Sequence, residues 1–400
     1  MSEQHPYPWP DASATGVGSW PGEDPDEAVR TILGELPDLP HLPELPARGV
    51  GADMIGRTGG LLVDFPLEVQ PSGWRVADSP GRDIARATSL MSYDLDALTE
   101  HAHGFAGTLK IQVAGPWTLA ASVELRSGQR LVSDPGAHRD LAESHLEGVL
   151  SHIADVRKRV PGARLLVQVD EPSLPAVLLG SLPTASGYGR LPAVDRLHVE
   201  AALRVLFAAI DDAGAVPVAH CCAAGVPIDL MRRSGARALS LNALLLNRDH
   251  DEMLGTAVEA GVGLLLGVVP SLDGTSADAR PSPATARGAL RAGAGHPQRT
   301  PDGAVPPTSS PATARGALRA GAGHPRRTPS ARSPRLSDPA ATVDPVRELW
   351  NRLGITPDLL SRAVVTTPTC GLAGASPGHA RAALTAARAG ARVLRDEPRG

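Results

Sequence analysis

The stretch LKIQVAGPWT, residues 109–118, decides the fold class, because it reads as a buried strand, a Gly-Pro turn and the start of an Ala-rich helix. Strands of the same kind are predicted further along the chain, at 164–169, 215–219, 236–241, 261–268 and 363–366. Helical patterns alternate with them, at 134–160, 196–213, 227–233, 252–260, 343–353 and 377–394. Repeated β/α units of this length imply parallel strands that are covered by helices.

We therefore expect an α/β protein with a single (β/α)8 TIM-type barrel. An open doubly wound sheet is disfavoured, since no G-x-G-x-x-G motif opens a helix after the first strand. Ahead of the first unit, Thr15–Gly22 predicts a short strand that ends in a glycine-rich turn, and a helix follows from Pro25. Residues 37–57 contain many prolines and predict a long loop.

Residues 275–336 interrupt this alternation with a segment rich in Pro, Ala, Gly, Ser and Arg. The sequence SPATARGALRAGAGHP occurs at 282–297 and again at 310–325. Two copies without an apolar face do not make a solenoid, so we predict a disordered low-complexity insertion. The segment is basic but lacks the interleaved aromatic residues of a nucleic-acid-binding arm. Residues 1–274 and 337–400 are predicted to form one catalytic barrel domain.

The composition of the chain argues against several classes of partner. A net charge of −4 over 400 residues gives no general attraction to nucleic acid or to a membrane surface. The longest apolar run, near 260–269, is too short to cross a bilayer. The first residues show no secretory signal pattern, and three cysteines cannot all pair. These features predict a cytoplasmic protein with reduced thiols and no membrane or nucleic-acid partner.

The three cysteines suggest a metal site. Cys221 and Cys222 follow His220 directly at the end of a predicted strand, and Cys370 follows another one. Side chains at i and i+2 share a face of a strand, so His220 and Cys222 can converge while Cys221 points away. One imidazole and two thiolates suit zinc and leave a fourth position open for a substrate. The alternative is that all three cysteines are small buried core residues.

Polar residues also follow the other predicted strands, at Ser19, Asp170, Glu171 and Asn242. In a β/α barrel the chemistry lies at the carboxyl ends of the strands, which favours one shared site. Taken alone, Asp170 and Glu171 fit acidic residues at a helix N-terminus, and Ser19 fits an ordinary turn serine.

An ordered set of motifs carries a family resemblance: VGSWPG at 17–22, AGPWT at 114–118, VQVDEPSLP at 167–175, HCC at 220–222 and TPTCGL at 367–372. The set resembles the C-terminal catalytic barrel of cobalamin-independent methionine synthase, in its short single-barrel form, and spans nearly the whole chain outside 275–336. The resemblance implies a zinc ion that binds homocysteine through its sulfur, and a methyl transfer that yields methionine.

The resemblance also implies roles for single residues. His220, Cys222 and Cys370 match the zinc ligands, and Asn242 occupies the place of the family's fourth ligand, a glutamate. Ser19 matches the residue that holds the carboxylate of the amino acid, and Asp170 matches the residue that holds its amino group. No acid or base catalyst is assigned, because Val269–Leu272 replaces the family's His-Ser-Pro segment.

The partners implied are homocysteine and a methyl donor, either methyltetrahydrofolate or methylcobalamin on a carrier protein. Glu44 is a candidate for the family's second substrate-binding glutamate. We expect a zinc-dependent homocysteine methyltransferase. Two alternatives stay open: a non-catalytic zinc- or thiol-binding relative that acts as a sensor or store, and a barrel enzyme of the porphyrin-decarboxylase type.

Overall fold

The structure is a computed structural model that describes residues 7–274 and 336–399. Apart from Leu336, the predicted insertion at 275–336 lies outside the described residues. No helix in the described part of the chain is both long enough and apolar enough to cross a membrane.

A six-stranded parallel sheet forms the centre of the molecule, as the β/α alternation predicts. Its strands lie side by side in chain order: β3 (Thr108–Ala114), β4 (Arg164–Asp170), β5 (Val216–Cys221), β6 (Ala238–Asn242), β7 (Gly263–Val269) and β8 (Val364–Pro368). Each follows a predicted strand to within about two residues at either end. The α/β class and the parallel sheet are therefore confirmed.

A complete eight-stranded barrel is not shown by regular strands in the described residues. Two extended segments, 13–19 and 40–44, lie beyond the edges of the sheet and are joined by isolated bridges. These bridges pair Ala14 with Thr366, Ser19 with Glu44 and His41 with Lys110. Prolines at 40 and 43 remove ladder donors, so the second segment cannot form a continuous strand.

Helices cover the sheet between its strands. Those after the first strand of the sheet are α4 (Pro116–Ser122), α5 (Pro135–Arg159), α6 (Leu174–Leu179), α7 (Arg196–Asp212), α8 (Ile228–Arg233), α9 (Asp251–Glu259), α10 (Pro339–Leu353), α11 (Leu360–Ala363) and α12 (Pro377–Asp396). Side chains cap several of them; Asp134, for example, accepts hydrogen bonds from Gly136 and Ala137 N–H at the start of α5.

The part of the chain before the sheet is more regular than the sequence predicts. Besides α1 (Pro25–Glu35) it contains α2 (Met54–Gly59), α3 (Arg82–His101) and an antiparallel hairpin of β1 (Leu67–Gln70) and β2 (Gly73–Val76). The loop predicted at 37–57 is thus wrong over the first turn of α2, where Asp53 accepts a hydrogen bond from Gly56 N–H. Glycines at 56 and 59 have low helix propensity, so the sequence does not predict this helix.

One face of the sheet carries polar side chains at alternate positions. The register pairs Gln112 with Gln168, Asp170 with His220, and His220 with Ser240. All five residues are buried. Because parallel strands end at the same edge, this polar row leads to the carboxyl edge of the sheet, where the candidate site lies.

Candidate functional site

A single cavity of about 670 Å³ opens at the carboxyl edge of the sheet. Five of the residues predicted for the site line it: Ser19, Asp170, His220, Cys222 and Cys370. Glu44 lines it as well. These residues come from three strand ends and from the segments 13–19 and 40–44, so the fold brings together positions up to 351 residues apart in sequence. The volume falls in the range of small-molecule sites.

The two thiols predicted as ligands lie close together. Cys222 Sγ is 3.5 Å from Cys370 Sγ, near the separation of two sulfurs on one tetrahedral metal ion. The hydrogen bond between them lowers the pKa of Cys370 to about 7 and, with burial, raises the pKa of Cys222 well above its usual range. Cys370 is therefore the more acidic thiol of the pair, and both sulfurs must lose their protons to bind a metal.

His220 is oriented by a neighbouring strand. Its Nδ1 atom is 2.8 Å from Ser240 Oγ, and this contact leaves Nε2 available as a ligand. Burial lowers the pKa of His220 to about 3, and the positive charge of Lys110 adds to the effect, while the bond to Ser240 opposes it. The imidazole is therefore neutral at physiological pH, which is the form that binds metals.

Two neighbouring residues do not face the cavity. Cys221 is 1% exposed and packs in the hydrophobic core, where burial raises the pKa of its thiol to about 12. Asn242 does not line the cavity, and its Oδ1 accepts a hydrogen bond from Leu244 N–H at 3.0 Å. Its role as a fourth ligand stays a prediction.

One imidazole and two thiols suit zinc in chemistry, but the three ligand atoms of His220, Cys222 and Cys370 are not all close to one another. Among the described residues, one group of three ligand atoms lies within 4.8 Å of each other, and it is Asp26, Glu100 and His101 at the surface. The ligand nitrogen of His220 therefore lies more than 4.8 Å from at least one of the two sulfurs, which are themselves 3.5 Å apart. A metal would have to draw His220 and the two sulfurs together.

Two buried carboxyl groups face the cavity beside the thiols. Burial raises the pKa of Asp170 well above its usual range, and the charge of Glu44 raises it further. Lys110 and a 2.7 Å hydrogen bond from Gln168 Nε2 oppose this shift. The pKa of Glu44 is also raised by burial and lowered by Arg57, whose Nε is 3.8 Å away. Such a pair can receive a cationic group such as an ammonium.

Glu171, next to Asp170 in sequence, serves the fold. Its carboxyl group accepts hydrogen bonds from Trp117 N–H at 3.0 Å and from Thr118 N–H and Oγ1–H, both at 2.7 Å. It thereby satisfies the free backbone donors at the N-terminus of α4. Burial raises the pKa of Glu171 to about 7 against these hydrogen bonds. The helix-terminus interpretation of the acidic pair therefore holds for Glu171, whereas Asp170 faces the cavity.

Ser19 lies against the loop that carries Cys370. Its Oγ accepts a hydrogen bond from Ala373 N–H at 3.4 Å, and its carbonyl accepts one from Leu372 N–H at 2.9 Å. A Cβ atom at Gly371 would lie 2.1 Å from Ser19 Oγ, so a side chain there would displace the Ser19 hydroxyl. The hydroxyl is half-buried and lines the cavity.

The far half of the cavity is formed by the β1–β2 hairpin, which the sequence did not predict. Trp74 and the turn at 71–73 line it, together with Ser122 and Arg130. Ser72 Oγ donates to Glu124 Oε2 at 2.7 Å, and Trp74 Nε1 donates to Asp53 Oδ1 at 3.2 Å. The second contact holds the Trp74 ring, and Arg130 Nη1 donates to Ser122 O at 2.8 Å, so an indole and a guanidinium line this half of the cavity.

Sequence reasoning left Glu44 as a bare candidate and missed Ser240. The signal for Ser240 is its position in an alternating strand beside His220, but the register between β5 and β6 is needed to use it. Glu44 lies 25 residues from Ser19, and only their bridge places the two together.

No protein-family profile matches this chain, and no curated protein sequence matches it. Among solved structures, the chain is similar to a B12-independent methionine synthase from Shewanella sp. W3-18-1 in complex with selenomethionine. The TM-score is 0.54 at 12% sequence identity, and the match covers 97% of this chain and 99% of that one. At this identity the likeness shows a shared fold.

A second solved structure is the carboxyl transferase domain of Rhizobium etli pyruvate carboxylase with 3-bromopyruvate. Its TM-score is 0.23 at 14% identity, over 75% of this chain and 44% of that one, so it carries no argument.

Proposed function

We propose that this protein is a zinc-dependent methyltransferase that transfers a methyl group to the thiol of homocysteine and forms methionine. The observation that carries the proposal is the convergence of two thiols, one imidazole, one hydroxyl and two carboxyl groups on a single cavity. The fold-level likeness to a methionine synthase supports it. We further propose that segments 13–19 and 40–44 take the places of the first two strands of an eight-stranded barrel.

In this proposal the amino-acid part of homocysteine lies between Ser19 and the carboxyl pair. The Ser19 hydroxyl donates to the substrate carboxylate, while Asp170 and Glu44 receive the ammonium group. Together they fix the direction of the thiol. A bimolecular methyl transfer gains most of its rate from such alignment of sulfur and methyl carbon.

His220, Cys222 and Cys370 are the residues that would hold zinc. When bound there, the ion lowers the pKa of a coordinated thiol, so that a nucleophilic thiolate exists near neutral pH. Ser240 keeps the imidazole in the tautomer that presents Nε2.

The methyl donor would enter over the β1–β2 hairpin. The cavity is larger than one small amino acid needs, so there is room for the reactive end of a second substrate, either methyltetrahydrofolate or methylcobalamin on a carrier protein. Val269–Leu272 offers no imidazole near the site, so the proposal assigns no acid catalyst.

A donor-by-acceptor screen of zinc-loaded protein tests this function. We expect methyl transfer to L-homocysteine with at least one of the two donors, and loss of activity in Cys222→Ser and Cys370→Ser. Cys221→Ser is the matched control and should keep its activity, since Cys221 faces the core.

The same screen separates the alternatives. Protein that binds zinc and homocysteine but transfers no methyl group from any donor would support the sensor or store. Methyl transfer by protein that contains no zinc would contradict the proposal, and the decarboxylase type predicts neither zinc binding nor methyl transfer.

A further inference from the structure

Lys110 is a buried cation that has no role in the methyl transfer proposed above. The sequence has two lysines, Lys110 and Lys158, and many arginines. Lys110 is 0% exposed and lies in β3, below the residues that line the cavity. Its Nζ donates to Val17 O at 2.8 Å and to Gln112 Oε1 at 3.2 Å. A compact ammonium fits this space, where the broader guanidinium of arginine would need more partners.

The contact with Val17 matters because Val17, Gly18 and Ser19 form one wall of the cavity. Their segment is joined to its neighbours by isolated bridges. The carbonyl of Val17 instead accepts two side-chain donors from the sheet, Lys110 Nζ and Gln168 Nε2, each at 2.8 Å. Side chains thus hold this segment where a regular strand would use a backbone ladder.

Lys110 also ties the second irregular segment. Its backbone N–H donates to Pro40 O and its carbonyl accepts from Leu42 N–H, both at 2.9 Å. Glu44 lies two residues further on, and its backbone bonds to Gly18 and Trp20 join it to the first segment. One residue of β3 therefore contacts both segments that carry the predicted amino-acid anchors.

The positive charge of Lys110 also lies close to the two buried carboxyl groups of the site. Asp170 and Glu44 are the carboxyl groups that act on Lys110, while His41 and His220 feel its positive charge. Two buried carboxylates without a counter-charge would be costly. Lys110 supplies one positive charge beside them, and Arg57, whose Nε is 3.8 Å from Glu44, supplies another.

We propose that Lys110 is a positioning residue that fixes Ser19 for binding the carboxylate of an α-amino acid substrate. The inference rests on the proposed function for the identity of that substrate, but not on methyl transfer. Removing the Lys110 ammonium should loosen segment 13–19 and weaken binding of the substrate carboxylate. Binding of the substrate ammonium by Asp170 and Glu44 should be retained.

Calorimetric titration with three thioethers tests this: L-methionine, 3-(methylthio)propylamine without the carboxylate, and 4-(methylthio)butanoate without the ammonium. Lys110→Met should weaken L-methionine and the butanoate by about 10- to 100-fold, as expected for one lost hydrogen bond from a charged group. The propylamine should bind at least as tightly as to the wild type, because a competing cation is gone. Lys158→Met, at an exposed lysine, is the matched control.

Lys110→Gln keeps a neutral donor toward Val17 and should recover most of the carboxylate affinity, and circular dichroism checks the fold of each variant. Equal weakening of all three ligands, unchanged L-methionine affinity, or no recovery in Lys110→Gln would overturn the inference. So would a wild type that binds none of the three. Wild-type protein that binds L-methionine but transfers no methyl group contradicts the proposed function. In that case the comparison of the Lys110 variants still tests whether Lys110 positions Ser19.

Discussion

Asp170 and Glu171 are adjacent carboxyl groups with opposite surroundings. Asp170 faces the cavity and accepts a hydrogen bond from Gln168, whereas Glu171 accepts three at the start of α4. Strand alternation explains the difference, because successive side chains point to opposite faces. One residue of the pair therefore lines the cavity, and the other satisfies the backbone donors at the start of α4.

Replacing Glu171 by Ala should destabilise the protein by about 2 to 4 kcal/mol, because buried donors of Trp117 and Thr118 lose their partner. Urea unfolding at pH 7 measures the change. Glu147→Ala, at an exposed position of α5, should change it little. Asp170→Asn should instead leave the unfolding free energy nearly unchanged and weaken L-methionine binding; the reverse pattern would contradict these assignments.

At the scale of elements, α5 has an unusual buried face. His138, His145 and His152 lie seven residues apart on it, and each is buried. Burial lowers the pKa of each to about 4, with smaller contributions from His198 at His138 and from Arg57 at His152. His145 Nε2 lies 2.8 Å from Ala114 O, at the end of β3. His145 thus joins the helix to the sheet through a neutral imidazole, while His138 stacks on Trp117 of α4 with ring centroids 3.8 Å apart.

These histidines should make the protein sensitive to acid. The folded pKa of about 4 lies below the unfolded value of about 6.5, so the stability is present above pH 6.5 and is lost as the pH falls toward 4. At pH 5 the loss is about 2 kcal/mol for each residue. His152→Leu should reduce the difference in unfolding free energy between pH 7.5 and pH 5, while His103→Gln, which is exposed, should not. An unchanged pH dependence in His152→Leu would contradict the buried-imidazole account.

The sequence predicts the elements of the sheet well, for a physical reason. The central strands are continuous apolar runs between turn signals, because both faces of a parallel sheet are covered. The hairpin β1–β2 and helix α3 have no such signature and were not predicted. Thr15–Ser19 reads as a strand, but glycines at 16 and 18 and prolines in its partner segment reduce it to isolated bridges.

For the whole molecule, the sequence predicts which residue types carry the chemistry, whereas the fold determines which of them meet. Cys222 and Cys370 are predicted as partners from the motifs, and their sulfurs do lie close together. Glu44 reaches the site through a bridge between two irregular segments, and Lys110 contacts one of these segments through Val17 O. Hydrophobic periodicity does not predict such contacts, because they are isolated bridges and hydrogen bonds from side chains to backbone carbonyls rather than the backbone pairs of a regular strand.

The assignment of one domain to 1–274 and 337–400 stays a prediction, and a deletion can test it. Strand β8 pairs directly with β7, for example Val365 with Leu265, and both strands lie outside the residues to be replaced. Leu336 packs against the core and should be kept. Replacing 275–335 by a Gly/Ser linker of about 12 residues should leave the melting temperature and zinc content unchanged. A large drop in either would mean that the segment belongs to the folded domain.

The central claim is that His220, Cys222 and Cys370 hold a zinc ion that binds the substrate thiol. X-ray absorption at the zinc edge of the loaded protein tests it most directly. We predict two sulfurs at about 2.3 Å and one imidazole nitrogen at about 2.0 to 2.1 Å, with a third sulfur appearing when L-homocysteine is added. A shell that contains no sulfur, or one that is unchanged by L-homocysteine, would contradict the claim.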